Sequence, residues 1–103
     1  MQLQDLKSQL TLVFPVRIDC EERRENLRVV LRQLDGLGCR MLVLEADAVP
    51  ALGEEAWPDG VEYTFVEDAS KVFHRTRYIN ELLRMAGTEV VGVWDTDVFV
   101  GFA

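Results

Sequence analysis

The chain has 103 residues, enough for one domain, and its 49% hydrophobic and 28% charged residues are typical of an ordinary globular protein. Eighteen acidic residues against 11 Lys and Arg give a formal net charge of -7, so DNA and bulk RNA are excluded as expected partners, because phosphate backbones bind clustered cations. The sequence shows no signal-peptide pattern and no apolar run near the roughly 18 residues of a membrane span. We therefore expect a cytoplasmic protein without a transmembrane segment.

The first predicted elements are a buried strand at 10–16, LTLVFPV, and an amphipathic helix within 19–38. The strand is a nearly continuous apolar run, as expected where both faces of a parallel sheet are covered. The apolar positions of the helix are Leu27, Val30, Leu31 and Leu34. Asp19 and Glu22 fit a capping box at its start, and a glycine at 36 or 38 fits its end.

A second buried strand is predicted at 40–46, RMLVLEA, and a loop with prolines and glycines leads to a third strand at 61–66. The third strand, VEYTFV, alternates apolar and polar residues as a half-exposed edge strand does. A second helix is predicted within 70–87, capped by Ser70 and ended by Gly87, and a last strand is predicted at 89–95. The buried face expected for this helix consists of Val72, Ile79, Leu82, Leu83 and Ala86.

The order of these elements predicts an α/β fold with one mostly parallel, Rossmann-like sheet and both helices packed on it. We expect the strand order 3-2-1-4, counted along the chain, and treat 1–103 as a single domain. In such sheets, ligands lie outside the carboxyl ends of the strands, where the strand order reverses. Charged residues stand at or just after the carboxyl ends of all four predicted strands: Arg17, Glu45, Asp47, Glu67, Asp68, Asp95 and Asp97.

The most specific pattern among these charges is the trio Asp95-Thr96-Asp97. At an extended strand end its two carboxylates lie on one face, about 6.5 Å apart. Each raises the pKa of the other unless a cation lies near both. Hard oxygen ligands select Mn²⁺ or Mg²⁺, and such a metal can neutralise the charge on a departing diphosphate. Asp97 and Asp95 are therefore the candidate metal ligands.

Two segments of the chain resemble a known family. The stretch TLVFPVRIDCEERRENLRVVLRQL resembles the opening strand and helix of GT-A type, family 2-like glycosyltransferases. VFHRTRYINELLRMAGTEVVGVWDTDV resembles the part of these enzymes that leads into their D-x-D motif, and FHRTRYIN and WDTD are its most specific portions. The resemblance implies a glycosyltransferase that uses a nucleotide-diphosphate sugar, with UDP-sugar favoured, an unknown acceptor, and Mn²⁺ or Mg²⁺ as cofactor.

The resemblance also implies roles for residues on the base side of the ligand. Pro15, Val16 and Arg17 would contact the nucleotide base through backbone and side-chain groups. Glu45 stands where the family places an acid near the base. The end of this strand reads LEADAVP, so Asp47 is the alternative to Glu45 as the acid near the base.

On the diphosphate side, the resemblance implies that Arg75 approaches the diphosphate. Asp95 would face the ribose or share the metal, Thr96 would lie in the same binding segment, and Asp97 would ligate the metal more directly. The family places its acceptor pocket and the base of inverting members beyond the D-x-D motif, so we expect both beyond Ala103. The chain would then be the N-terminal, nucleotide-binding portion of a longer GT-A domain and inactive alone. The free edge of its last strand favours self-association, most simply as a homodimer.

Two other classes of protein remain open. A haloacid dehalogenase-type phosphotransfer enzyme also has an apolar strand that ends in D-x-D, but there the motif opens the domain, whereas here three strands precede it. A flavodoxin-like interaction module without enzymatic activity would leave the same acids as solvated strand ends. Joint binding of Mn²⁺ and a nucleoside diphosphate favours the transferase, metal alone favours the phosphotransfer enzyme, and neither favours the module.

Overall fold

The structure, a computed structural model, describes residues 10–88 and 90–94. Within these ranges the elements are, in chain order, β1 Leu10–Val16, α1 Glu21–Asp35, β2 Arg40–Asp47, β3 Val61–Glu67, α2 Arg75–Ala86 and β4 Val90–Val93. Neither of these helices is long and apolar enough to cross a membrane. The predicted strands and helices are all present, and the trio Asp95-Thr96-Asp97 lies outside the described residues.

The strands of the described part form one parallel sheet in the order β3-β2-β1-β4, which confirms the predicted order. β1 lies inside the sheet and is paired with β2 on one side and with β4 on the other. Residues 11–16 of β1 are all buried, as its continuous apolar sequence predicts. β3 is a half-exposed edge strand. β4 is the other edge, with Val90 and Val93 exposed, and self-association through it stays a prediction.

The two helices cover opposite faces of the sheet. The cluster on the α1 face contains Leu12, Phe14 and Val16 of β1 together with Leu27, Val30, Leu31 and Leu34 of the helix. The cluster on the α2 face contains Val13 of β1, Leu42, Leu44 and Ala46 of β2, and Tyr78, Leu82 and Ala86 of the helix. Successive strand residues point to opposite faces, so the alternation between the clusters places one helix on each face. The predicted apolar stripe of α1 is buried in full.

The buried face of α2 differs from the predicted one. The structure buries Tyr78, Leu82 and Ala86. Val72 is 66% exposed and Leu83 is 45% exposed, so their prediction as core residues is wrong. Val72 precedes the helix, which begins at Arg75, so helical spacing does not apply to it. Leu83 is turned about 100° around the helix axis from Leu82 and away from the sheet.

The helix ends also differ in part from the prediction. The N-cap of α1 is Cys20, and no capping side-chain hydrogen bond forms there. Asp19 instead forms an exposed ion pair with an arginine one turn further on. α2 begins after His74, so Ser70 is not its cap. Gly87 ends α2 at φ 64°, in the left-handed region where glycine is unstrained, as predicted.

Arg40, at the start of β2, ties the end of α2 to the sheet. Its Nη1 donates to the carbonyls of Met85 and Ala86, at 3.1 and 2.7 Å. Its Nε and Nη2 bind the two carboxylate oxygens of Glu62 on β3, at 3.1 and 2.8 Å. The last carbonyls of a helix lack intrahelical partners, and a cation near them is favourable. The hydrogen bonds of this pair raise the pKa of Arg40 and lower the pKa of Glu62.

Leu82 and Leu83 give a matched test of how α2 packs. Leu82 is 0% exposed, so Leu82→Ala removes buried methyl groups and leaves a cavity. We expect Leu82→Ala to lower the free energy of unfolding by about 2–5 kcal/mol. Leu83→Ala, at an exposed position, should lower it by about 1 kcal/mol or less. Urea unfolding followed by circular dichroism measures both, and equal losses would contradict this orientation of α2.

Candidate functional site

β4 pairs with β1 at the point where the strand order reverses, and its last residue, Val93, lies opposite Val13 of β1. β4 continues into Trp94, whose amide donates to the carbonyl of Val13 at 2.9 Å. We call residues 15–17 together with Trp94 the β1–β4 edge. Open α/β sheets bind ligands at such a reversal. The next residue of the chain after Trp94 is Asp95, which lies outside the described residues.

The side chain of Arg17, directly after β1, donates hydrogen bonds to backbone carbonyls of two other segments. Its Nε donates to Ala46 at 2.8 Å, its Nη1 to Ser70 at 2.7 Å and its Nη2 to Asp68 at 3.2 Å. Its guanidinium carbon lies 5.6 Å from the centroid of the Phe73 ring, within the range of a cation–π interaction. Arg17 therefore links the end of β1 to the end of β2 and to the loop between β3 and α2.

Asp68 is the second charged group that holds the loop between β3 and α2. Its carboxylate accepts hydrogen bonds from the Tyr78 hydroxyl and, at 2.9 Å, from the amide of Ser70. The Tyr78 bond, followed by the bonds from Ser70 and the charge of Arg17, holds the pKa of Asp68 far below its usual range. The Tyr78 ring stacks on Phe73 with 5.6 Å between centroids. The loop is thus attached to α2 as well as to β1.

Glu45, near the end of β2, is 0% exposed. Its two carboxylate oxygens accept hydrogen bonds from the amides of Ala51 and Leu52, at 2.9 and 3.2 Å, and from the Tyr63 hydroxyl at 2.5 Å. Burial, and then the bond to Glu45, raise the pKa of Tyr63. Trp57 stacks on Tyr63 with 5.3 Å between centroids. Glu45 therefore fixes the loop between β2 and β3 onto the sheet, and its contact with a nucleotide base stays a prediction.

The other residues predicted on the base side differ in their accessibility. Pro15 and Val16 are buried in β1. Contact between them and a ligand would therefore use their backbone groups. Asp47 is half-buried, and its Oδ1 accepts a hydrogen bond from the amide of Ala48 at 2.7 Å. Of the two acids at the end of β2, Asp47 is the accessible one.

Arg75, the residue predicted near the diphosphate, is the first residue of α2 and is exposed. Its amide donates to the carbonyl of Phe73 at 3.0 Å. Its guanidinium forms no ion pair with another residue of the described ranges. Within 10–88 and 90–94 there is also no group of three or more His, Cys, Asp or Glu that could hold a metal ion. The predicted metal ligands, Asp95 and Asp97, lie outside those ranges.

Two surface grooves of the described part lie away from the β1–β4 edge. A groove of about 510 Å³ runs between α1 and the loop before β3. It is crossed by an ion pair between Arg28 Nε and Glu55 Oε1, at 2.7 Å. A second groove, of about 430 Å³, lies between α2 and β3, over Thr64 and Val66. Neither groove is lined by the residues that follow β1 or β4.

The sequence prediction missed the role of two tyrosines that bind the acids Glu45 and Asp68, near the carboxyl ends of β2 and β3. Tyr63 and Tyr78 occupy positions where the strand and helix patterns ask only for a large apolar residue. The available signal is the hydroxyl, because a buried tyrosine usually finds a hydrogen-bond partner. In this fold the partners are the carboxylates of Glu45 and Asp68.

Comparisons with protein-family models, with curated proteins and with solved structures give no match to this chain.

Glu45→Gln tests whether the buried carboxylate holds the loop between β2 and β3. The amide nitrogen of glutamine cannot accept a hydrogen bond, so at least one of the three donors at Glu45 loses its partner. We expect the free energy of unfolding to fall by about 1.5–3 kcal/mol, with a change in the fluorescence of Trp57. Glu54→Gln, at an exposed position of the same loop, is the control. Equal urea midpoints for the two variants would show that the Glu45 bonds contribute little.

Asp68 gives a prediction about acid stability. Folding lowers the pKa of Asp68, so the folded state binds its proton less tightly than the unfolded state. Its contribution to stability is present above the unfolded pKa of about 3.9 and is lost as the pH falls toward the lower folded pKa. Asp68→Asn should therefore lower the urea midpoint at pH 7 and reduce its dependence on pH below about 4. Asp59→Asn, in the exposed turn before β3, should leave that dependence unchanged; the same acid profile for Asp68→Asn and the unmodified chain would refute the assignment.

Proposed function

We propose that this chain binds a nucleotide-diphosphate sugar at the β1–β4 edge and serves a metal-assisted glycosyltransferase. The observation that carries the proposal is the strand order, in which β4, the strand leading to Asp95-Thr96-Asp97, pairs directly with β1. Groups that follow neighbouring parallel strands at a reversal can contact one ligand. The resemblance of FHRTRYIN and WDTD to GT-A enzymes supports this choice of ligand.

The chemistry of Asp95 and Asp97 suits Mn²⁺ or Mg²⁺, because both supply hard carboxylate oxygens. The metal would neutralise charge on the diphosphate leaving group. It would also offset an electrostatic obstacle, since a chain with a formal net charge of -7 repels a diphosphate. Asp97 would ligate the metal, whereas Asp95 would share it or accept a hydrogen bond from the ribose.

The described residues are consistent with a ligand whose base lies toward β2 and whose diphosphate lies toward α2. Pro15 and Val16 would offer backbone groups at the end of β1. Asp47, half-buried at the end of β2, is accessible to a base, whereas the carboxylate of Glu45 is occupied by donors of the protein itself. Arg75 is exposed and has no acidic partner in the described part of the chain, so its charge is available to a phosphate.

Asp97→Asn tests the proposal directly. The substitution keeps the shape of the side chain but removes a formal charge and a strong oxygen ligand, so metal-dependent binding of uridine diphosphate should weaken by roughly ten- to a hundredfold. Asp95→Asn should weaken it less if Asp95 accepts a ribose hydroxyl, because the amide oxygen still accepts. Calorimetric titration with and without Mn²⁺ measures all three proteins.

Asp59→Asn is the matched control for this titration. It removes the same formal charge near the amino end of β3, at the opposite end of the strands from the β1–β4 edge, and should bind as the unmodified chain does. Binding that is equal with and without Mn²⁺, or an unaffected Asp97→Asn, would refute the transferase proposal. Binding of metal without nucleotide would favour a phosphotransfer enzyme, and binding of neither would favour an interaction module.

A further inference from the structure

Arg17 is predicted from the sequence to contact the nucleotide, but in the fold it donates hydrogen bonds to the protein backbone. Three of its five N–H donors are used by the carbonyls of Ala46, Asp68 and Ser70. These carbonyls belong to the end of β2 and to the loop between β3 and α2. A planar guanidinium holds such a set in fixed directions, which a lysine ammonium does not. The guanidinium cannot turn toward a ligand without releasing these carbonyls.

A continuous set of contacts leads from Arg17 to Arg75. The guanidinium lies over the ring of Phe73, and the carbonyl of Phe73 accepts the amide of Arg75 at 3.0 Å. The Phe73 ring also stacks on the ring of Tyr78 of α2. Tyr78 in turn donates to Asp68, whose carbonyl Arg17 binds. The loop before α2 is therefore fixed on both sides, and Arg75 is the first helical residue after it.

We propose that Arg17 is a positioning residue, which fixes the loop between β3 and α2 and thereby holds Arg75 where it can bind the diphosphate. The inference rests on the proposed function, because it takes Arg75 as a diphosphate contact. It assigns Arg17 a role that differs from direct recognition of the base. The two roles predict different energetic coupling between Arg17 and Arg75.

A double-mutant cycle separates the two roles. Arg17→Lys keeps the positive charge but cannot bind the three carbonyls in the same geometry. If Arg17 acts through Arg75, Arg17→Lys should weaken Mn²⁺-dependent binding of uridine diphosphate by about tenfold in the unmodified chain and by less than about twofold in an Arg75→Gln background. If Arg17 contacts the ligand itself, the loss should be the same in both backgrounds, which would overturn the inference.

Arg84→Lys is the matched control for the cycle. Arg84 is an exposed arginine in the last turn of α2, paired with Glu81, and the same charge-conserving change there should leave binding unaltered in both backgrounds. An equal loss with Arg84→Lys would show that the effect of Arg17→Lys is not specific, and would also overturn the inference.

Hydrogen exchange tests the structural half of the inference without a ligand. Arg17→Lys should speed amide exchange in residues 68–75 more than in β1 or β2, because it releases the loop selectively. Phe73→Leu, which removes the ring under the guanidinium, should produce the same pattern and serves if Arg17→Lys does not fold. Exchange that rises uniformly or not at all would refute a fixing role for Arg17.

The outcomes for the two proposals remain distinguishable. Metal-dependent binding that weakens in Asp97→Asn but shows no coupling between Arg17 and Arg75 leaves the proposed function standing and overturns only this inference. Absence of metal-dependent binding in the unmodified chain overturns the proposed function, and with it the positioning of Arg75 for a diphosphate.

Discussion

The pairing of β1 with both β2 and β4 is the constraint on which the rest of the structure depends. Parallel pairing on both sides requires a crossover before each partner strand, and the helices in these crossovers cover the two faces of the sheet. β1 is consequently buried on both faces, and its sequence is apolar almost throughout. The same pairing places Trp94, at the end of β4, beside β1, where its amide donates to the carbonyl of Val13. Burial of β1 and the location of the candidate site thus have one cause.

Two charged side chains complete the carboxyl edge of this sheet, and they do so in complementary ways. Glu45 accepts hydrogen bonds from backbone amides of the loop after β2, and Arg17 donates to backbone carbonyls around the loop after β3. Loop backbone carries polar groups that no strand or helix satisfies, and leaving them unpaired costs free energy. A buried charge is likewise tolerable only when it is paired or hydrogen-bonded. Glu45 and Arg17 therefore each stabilise a loop, and hydrogen bonds with the backbone of that loop in turn stabilise the charge of the side chain.

The strands and α1 could be predicted because their burial follows the local pattern. Continuous apolar runs identify β1 and β2, and a stripe at helical spacing identifies the buried face of α1. The face of α2 was only partly predictable. Its spacing assigns Val72 to the buried face of α2. It lies instead in the loop that Arg17 and Asp68 hold, and the helix begins only at Arg75. The contacts of Arg17 with this loop join residues 51 and 53 positions apart, and no local pattern encodes them.

The candidate site illustrates the same limit. An acid at the end of an apolar strand normally meets solvent, and the resemblance to GT-A enzymes implies that Glu45 lies near the nucleotide base. Its burial depends on Tyr63 from the next strand and on the amides at 51 and 52, which fold back over it. Asp47, two residues further on, lacks such a cover and stays half-buried. Local sequence could therefore identify the edge of the sheet but not which of its acids is accessible.

Several charged side chains at the carboxyl edge of the sheet already have partners within the protein, which limits the groups that can contact a ligand. Asp68 is bound by a tyrosine and an amide, Glu45 is enclosed, and Arg17 has given most of its donors to the backbone. In the described part, Arg75 is an exposed cation next to this set, and the formal net charge of -7 opposes the binding of a diphosphate. An additional source of positive charge would therefore favour an anionic ligand at the β1–β4 edge. In the proposed function a divalent cation is that source, because two carboxylates one residue apart follow Trp94 in the sequence.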